Sequence, residues 1–320
     1  MSRRAWVWGR YVASGVTLGV LVWRLGATPF LNGLRTVDAA ALAAAGGLIA
    51  LTTVCCAWRW KLVAGGLGVD LSLPAAVAAY YRALFLNVTL PGGVVGDVHR
   101  GISHGREVSN VGRAMRAVVW ERFAGQVIQV VLTVVVLLVL PSPVRSSMPL
   151  VAVGIVVAAA AVVVLARVRT RPGPNRSVWT RVRSAVAADI RNVLGRRTWL
   201  GIVLTSAIVV CGYAVTFLIA ARTAGATAPL SRMLPLALLA IVAMVVPSVG
   251  GWGPREGITA WAFGAAGLGA GRGVATAVVY GVMVLVASLP GAVVLAVSWP
   301  RRSRSPERTE GQLAEGTAHA

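Results

Sequence analysis

Acidic residues are scarce in this chain. Its 320 residues include ten Asp plus Glu against 31 Lys plus Arg, a formal charge of +21. Charged residues of both signs make up only 13%, hydrophobic residues make up 57%, and the mean hydropathy is +0.76. So little polar surface cannot coat a water-soluble globule of this size. Apolar runs recur as far as about residue 299, which leaves no room for a large soluble catalytic domain. Cysteine is equally sparse. Cys55, Cys56 and Cys211 lie within or at the ends of apolar stretches, and neither a disulfide framework nor a metal-ligand spacing follows from them. In a soluble protein this basic balance would suggest nucleic acid. Here the arginines lie between apolar spans, as the positive-inside rule requires, so the partners expected are membrane lipids and not nucleic acid.

What is present is a series of long apolar runs. A spanning helix needs about 20 apolar residues, and such runs lie near residues 6–25, 39–57, 117–140, 148–166, 199–221 and 274–298. Three shorter pieces, near 74–90, 231–247 and 257–270, are bounded or interrupted by Pro and Gly and read as half-helices. The expected fold is all-α: a polytopic membrane bundle of six to eight spanning helices with re-entrant broken helices, inverted repeats being one arrangement of them, over residues 1–300. A disordered polar tail follows over 301–320. Trp6, Trp8, Trp23, Trp58, Trp60, Trp120, Trp199 and Trp299 sit near the expected span ends, as interfacial indoles do. Residues 167–197 carry nine arginines against the single acid Asp189, which places that loop in the cytoplasm. The N-terminus (Arg3, Arg4, Arg10), the 58–72 segment (Arg59, Lys61) and the tail (Arg301, Arg302, Arg304) belong on the same side. If 58–72 and 99–116 are both cytoplasmic, the 74–90 piece enters and returns without crossing. The plasma (inner) membrane is the expected location.

Two breaks stand out. The first runs Leu90-Pro91-Gly92-Gly93-Val94-Val95-Gly96-Asp97-Val98-His99-Arg100, and the second runs Val246-Pro247-Ser248-Val249-Gly250-Gly251-Trp252-Gly253-Pro254-Arg255-Glu256-Gly257. Each has an apolar helix, a proline, clustered glycines and then a charge opening the next helix. Interrupted hydrophobic segments in corresponding places of two halves point to a substrate site near the bilayer midplane. The bland alternative is a pair of tight turns with interfacial charges. Asp38, Asp70, Glu107, Asp189, Glu307, Glu310 and Glu315 fall in loops, span edges or the tail. Asp97 and Glu256 follow the breaks, and Glu121 with Arg122 lies about one turn inside a span. Glu121 and Arg122 either form a functional intramembrane pair or snorkel to the surface. Read functionally, Arg100, Arg122 and Arg255 meet a lipid phosphate while the acids hold them. Asp97, His99 and His104 lack a fourth ligand or a spacing motif, so no metal and no cofactor are expected.

These motifs resemble the membrane region of lysylphosphatidylglycerol synthetases, the flippase-like region of the multiple peptide resistance factor. The resemblance is carried by Phe85-Leu86-Asn87, Leu90-Pro91-Gly92-Gly93, Gly96-Asp97, Arg100 and Glu121-Arg122 in the first half. In the second half it is carried by Pro247, Gly251-Trp252-Gly253, Arg255-Glu256-Gly257 and Ser288-Leu289-Pro290-Gly291. The family commonly has Asp-Arg where this chain has Glu121-Arg122. The resemblance implies a transporter, not an enzyme, that moves an anionic or aminoacylated lipid, or a polyprenyl-phosphate-linked sugar, between leaflets. Its headgroup site would comprise Asn87, Pro91, Gly92, Gly93, Gly96, Asp97, Arg100, Glu121, Arg122, Gly251, Trp252, Gly253, Arg255 and Glu256. Fused relatives carry an aminoacyltransferase domain after this region. The chain ends about 20 residues after its last span, so it is not expected to synthesise lysyl-lipid itself, and a separate lipid-modifying enzyme is a possible partner. The competing reading is a membrane glycosyltransferase, or its accessory subunit, acting on polyprenyl-linked sugars with Asp97 or Glu256 as base.

Overall fold

The computed structural model describes residues 19–20, 23, 28–90, 93–155, 157, 188–189, 195–244 and 252–302. Their regular structure is helical: α1 (Thr28–Arg35), α2 (Ala39–Gly66), α3 (Leu73–Thr89), α4 (Val95–Glu107), α5 (Val111–Val139), α6 (Arg196–Thr223), α7 (Leu230–Ala243), α8 (Pro254–Ala265) and α9 (Ala270–Arg302). Four helices are long and apolar enough to cross a membrane: Ala39–Gly66, Val111–Val139, Thr198–Thr223 and Ala270–Val297. The expected 6–25 and 148–166 spans and the 301–320 tail fall largely outside the described residues, as does most of the 167–197 loop.

Local chemistry explains where the helices start and stop. Asp38 caps α2 by accepting from the Ala41 N–H at 2.6 Å, and Asn110 caps α5 by accepting from the Arg113 N–H at 3.0 Å. Pro74 opens α3, where its missing N–H costs nothing. The helix stops at Leu90, held extended (φ −97°, ψ 147°) as a residue before proline tends to be. Pro254 opens α8, and Gly253, at φ 100°, supplies a backbone geometry that a side chain would strain.

Two helices run further than their apolar runs alone suggest. α2 continues through Trp58, Arg59, Trp60 and Lys61, and α5 begins at Val111, taking in Arg113 and Arg116. The expected basic loops at 58–72 and 99–116 are thus mostly helix. Arg59 and Trp60 are 5% and 0% exposed, so Trp60 is a core residue and not an interfacial one. The half-helices do form: α3, α4, α7 and α8 have 17, 13, 14 and 12 residues. At 1.5 Å per residue the longest spans only about 26 Å, short of a bilayer core of about 30 Å.

The same series of elements occurs twice: a long helix, a short loop, a short helix, a break, a second short helix, a tight turn and a long helix. α2 and α6 both have 28 residues. Each ends in a turn around a glycine of positive φ, Gly68 (69°) and Gly225 (81°). The turns share their bonding, with Gly68 N–H to Gly65 O and Val69 N–H to Ala64 O matched by Gly225 N–H to Arg222 O and Ala226 N–H to Ala221 O. The turns before α5 and α9 match likewise, with Ser109 (φ 54°) in the place of Gly267 (φ 73°).

The halves are inverted. α2 and α6 pack antiparallel: Gly201 lies against Leu62, Gly212 against Thr52, and Phe217, Ala220 and Ala221 share a core with Ala41 and Ala45. A Cβ placed on Gly212 would sit 3.9 Å from the Thr52 Cβ, within disulfide range. With Cys55, Cys56 and Cys211 replaced by Ala, Thr52→Cys with Gly212→Cys should therefore cross-link under mild oxidation, read as a thiol-reversible gel shift. Failure to cross-link would contradict this packing.

Candidate functional site

The first hairpin, α3 and α4, brings its acid against the long helix α5. α3 and α4 touch where Gly96 meets the Ala83 backbone, a contact with no room for a Cβ. Asn87, near the end of α3, spans the break. Its Oδ1 accepts from the Gly96 N–H at 2.8 Å, and its Nδ2 donates to Asp97 Oδ2 at 3.2 Å. Asp97 also accepts from Arg100 Nε at 2.9 Å and from Arg122 Nη2 at 2.6 Å.

Glu121 is the hub of the adjoining network and is fully buried. Its Oε1 accepts from Arg59 Nε at 2.9 Å and from Nη2 at 2.6 Å, and its Oε2 accepts from Arg100 Nη2 at 2.7 Å. Arg59 donates in turn to Ser206 Oγ on α6 at 3.0 Å. Gly125 leaves space for this guanidinium, whose Cζ lies 2.8 Å from where a Cβ would be. Arg100 is sandwiched between Tyr80 and Trp60, 4.2 and 4.6 Å from the ring centroids. Its Nη1 has no hydrogen-bond partner, and the ring faces offset part of that cost. Three arginines against two carboxylates leave this buried cluster with one net positive charge.

The second hairpin carries a smaller pair. Glu256 Oε2 accepts from the Gly253 N–H at 2.7 Å, and its Oε1 accepts from Arg255 Nε at 3.0 Å and Nη2 at 2.5 Å. Trp252 and Tyr280 flank the Arg255 guanidinium at 5.1 and 5.6 Å. Gly281 on α9 makes room for it: a Cβ there would lie 2.6 Å from Arg255 Nη2.

Both hairpins face one cavity of about 210 Å³ between the repeats. Asn87 and Gly93 line it from the first break and Arg255 from the second, with Arg122, Gln126 and Gln129 of α5 between them. Among the described lining residues there are two arginines and no carboxylate. Arg122 keeps 44% of its side-chain surface open while bonded to Asp97, which leaves N–H groups for a ligand.

Of the residues singled out from sequence, Asn87, Gly93, Arg122 and Arg255 line this cavity. Asp97, Glu121 and Glu256 stand behind it as buried carboxylates that orient arginines. Gly96 and Gly253 shape the two breaks, and Trp252 stacks on Arg255. Arg100 departs from expectation: it does not line the cavity and bonds only protein carboxylates. Pro91, Gly92 and Gly251 lie outside the described residues. The surface-snorkelling alternative for Glu121 fails, since its carboxylate is enclosed. Sequence reasoning missed Arg59, because a basic residue after an apolar run reads as a loop. The signal was Glu121 itself, a buried acid that needs more cation than Arg122 alone.

Inverted repeats of long and broken helices, with a cavity between them, define a polytopic helical membrane bundle. A family model, the lysylphosphatidylglycerol synthase TM region, matches residues 7–291, and the chain belongs to that family. The family and the apolar helices together make it a membrane protein with a lipid-related function. No curated protein and no solved structure matches it.

Proposed function

We propose that this protein moves the headgroup of an anionic lipid, or of a lipid-linked phosphate, between leaflets through the central cavity, acting as a transporter and not as an enzyme. The observation that carries this is the cavity wall: one arginine from each repeat, Arg122 and Arg255, with no opposing carboxylate among the described lining residues. Guanidinium groups suit bidentate recognition of phosphate. The inverted arrangement supports alternating access, in which one repeat rocks against the other around the headgroup. Asp97, Glu121 and Glu256 each hold guanidinium groups at 3.0 Å or less, so they are engaged as counter-ions, which disfavours the transferase reading with a free carboxylate base. The basic 167–197 segment and both termini face the cytoplasm of a plasma-membrane protein in this reading.

The test is leaflet exchange of labelled anionic phospholipid and polyprenyl-phosphate sugar in proteoliposomes. Arg122→Gln should slow exchange at least about tenfold, the loss of one charge-assisted hydrogen bond. Its half-open position predicts only a small change in melting temperature. Wild-type rates in Arg122→Gln would rule out this cavity as the path, and no exchange of either lipid by the wild type would overturn the transport reading.

A further inference from the structure

Helix α3 separates two cavities. Tyr80, Ala83, Leu84 and Asn87 face the central one, while Ala75, Ala78, Ala79 and Arg82, on the other side of the helix, face a lateral pocket of about 500 Å³. Trp60, His104 and Glu107 form its polar end together with Arg82, and Val293, Val294 and Val297 of α9 form an apolar wall. Val293 and Val297 are 63% and 60% exposed. The pocket therefore opens sideways between α3 and α9, on an apolar flank of the bundle.

The polar end holds unmet hydrogen-bonding groups. His104 is 6% exposed, yet neither ring nitrogen has a hydrogen-bond partner. The Glu107 Oε2 lies 3.7 Å from Nδ1, too far for a hydrogen bond. The Trp60 Nε1–H is also buried without an acceptor. A buried polar group left without a partner is destabilising, so its presence needs a reason. Packing is not that reason. In the second repeat Phe217, the counterpart of Trp60, makes a similar edge-on contact with Phe263, one residue off the turn register of His104, with centroids 6.5 Å apart against 5.6 Å for Trp60 and His104. Carbon rings make the contact in the second repeat, whereas in the first both rings carry nitrogen.

We propose that the lateral pocket is a second lipid site, which takes the headgroup of a zwitterionic phospholipid. The phosphodiester accepts from His104 and Trp60 N–H groups beside the positive Arg82, and the headgroup ammonium meets Glu107 at the mouth, where its side chain is 65% exposed. An acyl chain follows Val293 and Val297. Opposite charges at one end and an apolar exit at the other match an amphiphile better than a free anion. This site is independent of what the central cavity carries.

Native mass spectrometry of the full-length protein, offered phosphatidylethanolamine, phosphatidylglycerol or inorganic phosphate, tests it. Phosphatidylethanolamine should be retained in preference to phosphatidylglycerol. Its retention should fall about tenfold in His104→Phe, which copies the ring of the second repeat, and should persist in Arg122→Gln. Glu107→Gln, at the surface, should erase the preference between the two lipids, and it reads the site even if His104→Phe does not fold. Equal phosphatidylethanolamine retention by wild type and a folded His104→Phe would overturn the proposal, as would an unchanged preference in Glu107→Gln. Displacement of the lipid by millimolar inorganic phosphate would identify a free-anion site and overturn the lipid assignment.

Discussion

Glu121→Ala should lose about 3–5 kcal/mol of stability and much of the folded yield. The carboxylate takes three guanidinium N–H bonds, two from Arg59 and one from Arg100, at 2.6 to 2.9 Å. Without it Arg59 keeps only Ser206 and the Cys56 sulfur, at 3.0 and 3.7 Å, and Arg100 keeps only Asp97. Arg59 would then be a buried cation with no carboxylate, and Arg100 would share Asp97 with Arg122. The loss should be visible as a lower melting temperature in detergent by size-exclusion chromatography. Adding Arg59→Leu should recover part of it, because the cation most dependent on Glu121 is then gone. A Glu121→Ala protein that melts with the wild type would show that the network does not hold α2, α4 and α5 together. Loss of transport in this variant, or in Asp97→Ala, would not by itself locate a substrate site, since each carboxylate is first a structural tie.

The second large effect separates those roles. Arg255→Gln with Glu256→Gln removes both charges of the second hairpin together and leaves no unpaired ion. Replacing a buried ion pair by neutral groups is often close to neutral for stability, and a glutamine at 256 can still accept from the Gly253 N–H. The double variant should therefore melt within a few degrees of wild type. Anionic-lipid exchange should nevertheless fall about 10- to 150-fold, the worth of one charge-assisted contact of about 1.5–3 kcal/mol. Wild-type exchange in a stable double variant would leave Arg255 with only a packing role and sever the link between the second break and transport. Combined with Arg122→Gln, the double variant also reveals whether the arginines of the two repeats meet one phosphate: shared recognition predicts a combined loss different from the product of the separate losses.

Much of this architecture is legible in the chain before any coordinate. Proline and glycine interrupt two apolar segments at comparable positions, and the helices stop and restart there because backbone chemistry leaves little choice. Asp97, Arg255 and Glu256 are conspicuous because ionic groups next to such breaks need partners inside a bilayer, Arg122 because it lies about one turn inside a span, and Asn87 only through the family resemblance. Less legible were the ends of the long helices. Arg59 and Lys61 are adjacent-but-one basic residues after an apolar run, yet one is enclosed and the other exposed. Their helical phase decides this, and loop-like composition hides phase. The inverted repeat was hinted at by the two breaks, but its proof lies in matching turn bonds and an antiparallel α2–α6 contact, since sequence order does not reveal which way two helices run past each other.

Composition and residue order already specify a helical membrane protein with two broken segments and few acids to place in lipid. Those properties follow from solvation and backbone geometry, which act residue by residue. Which cation each acid serves is set by helix packing. Arg59 and Glu121 are 62 residues apart and meet through helix packing, which also turns Arg100 away from the cavity and leaves Arg122 and Arg255 facing it. Partner choice in a low-dielectric interior is settled by distances of a few ångströms, and those exist only once α2, α4, α5 and α6 have come together.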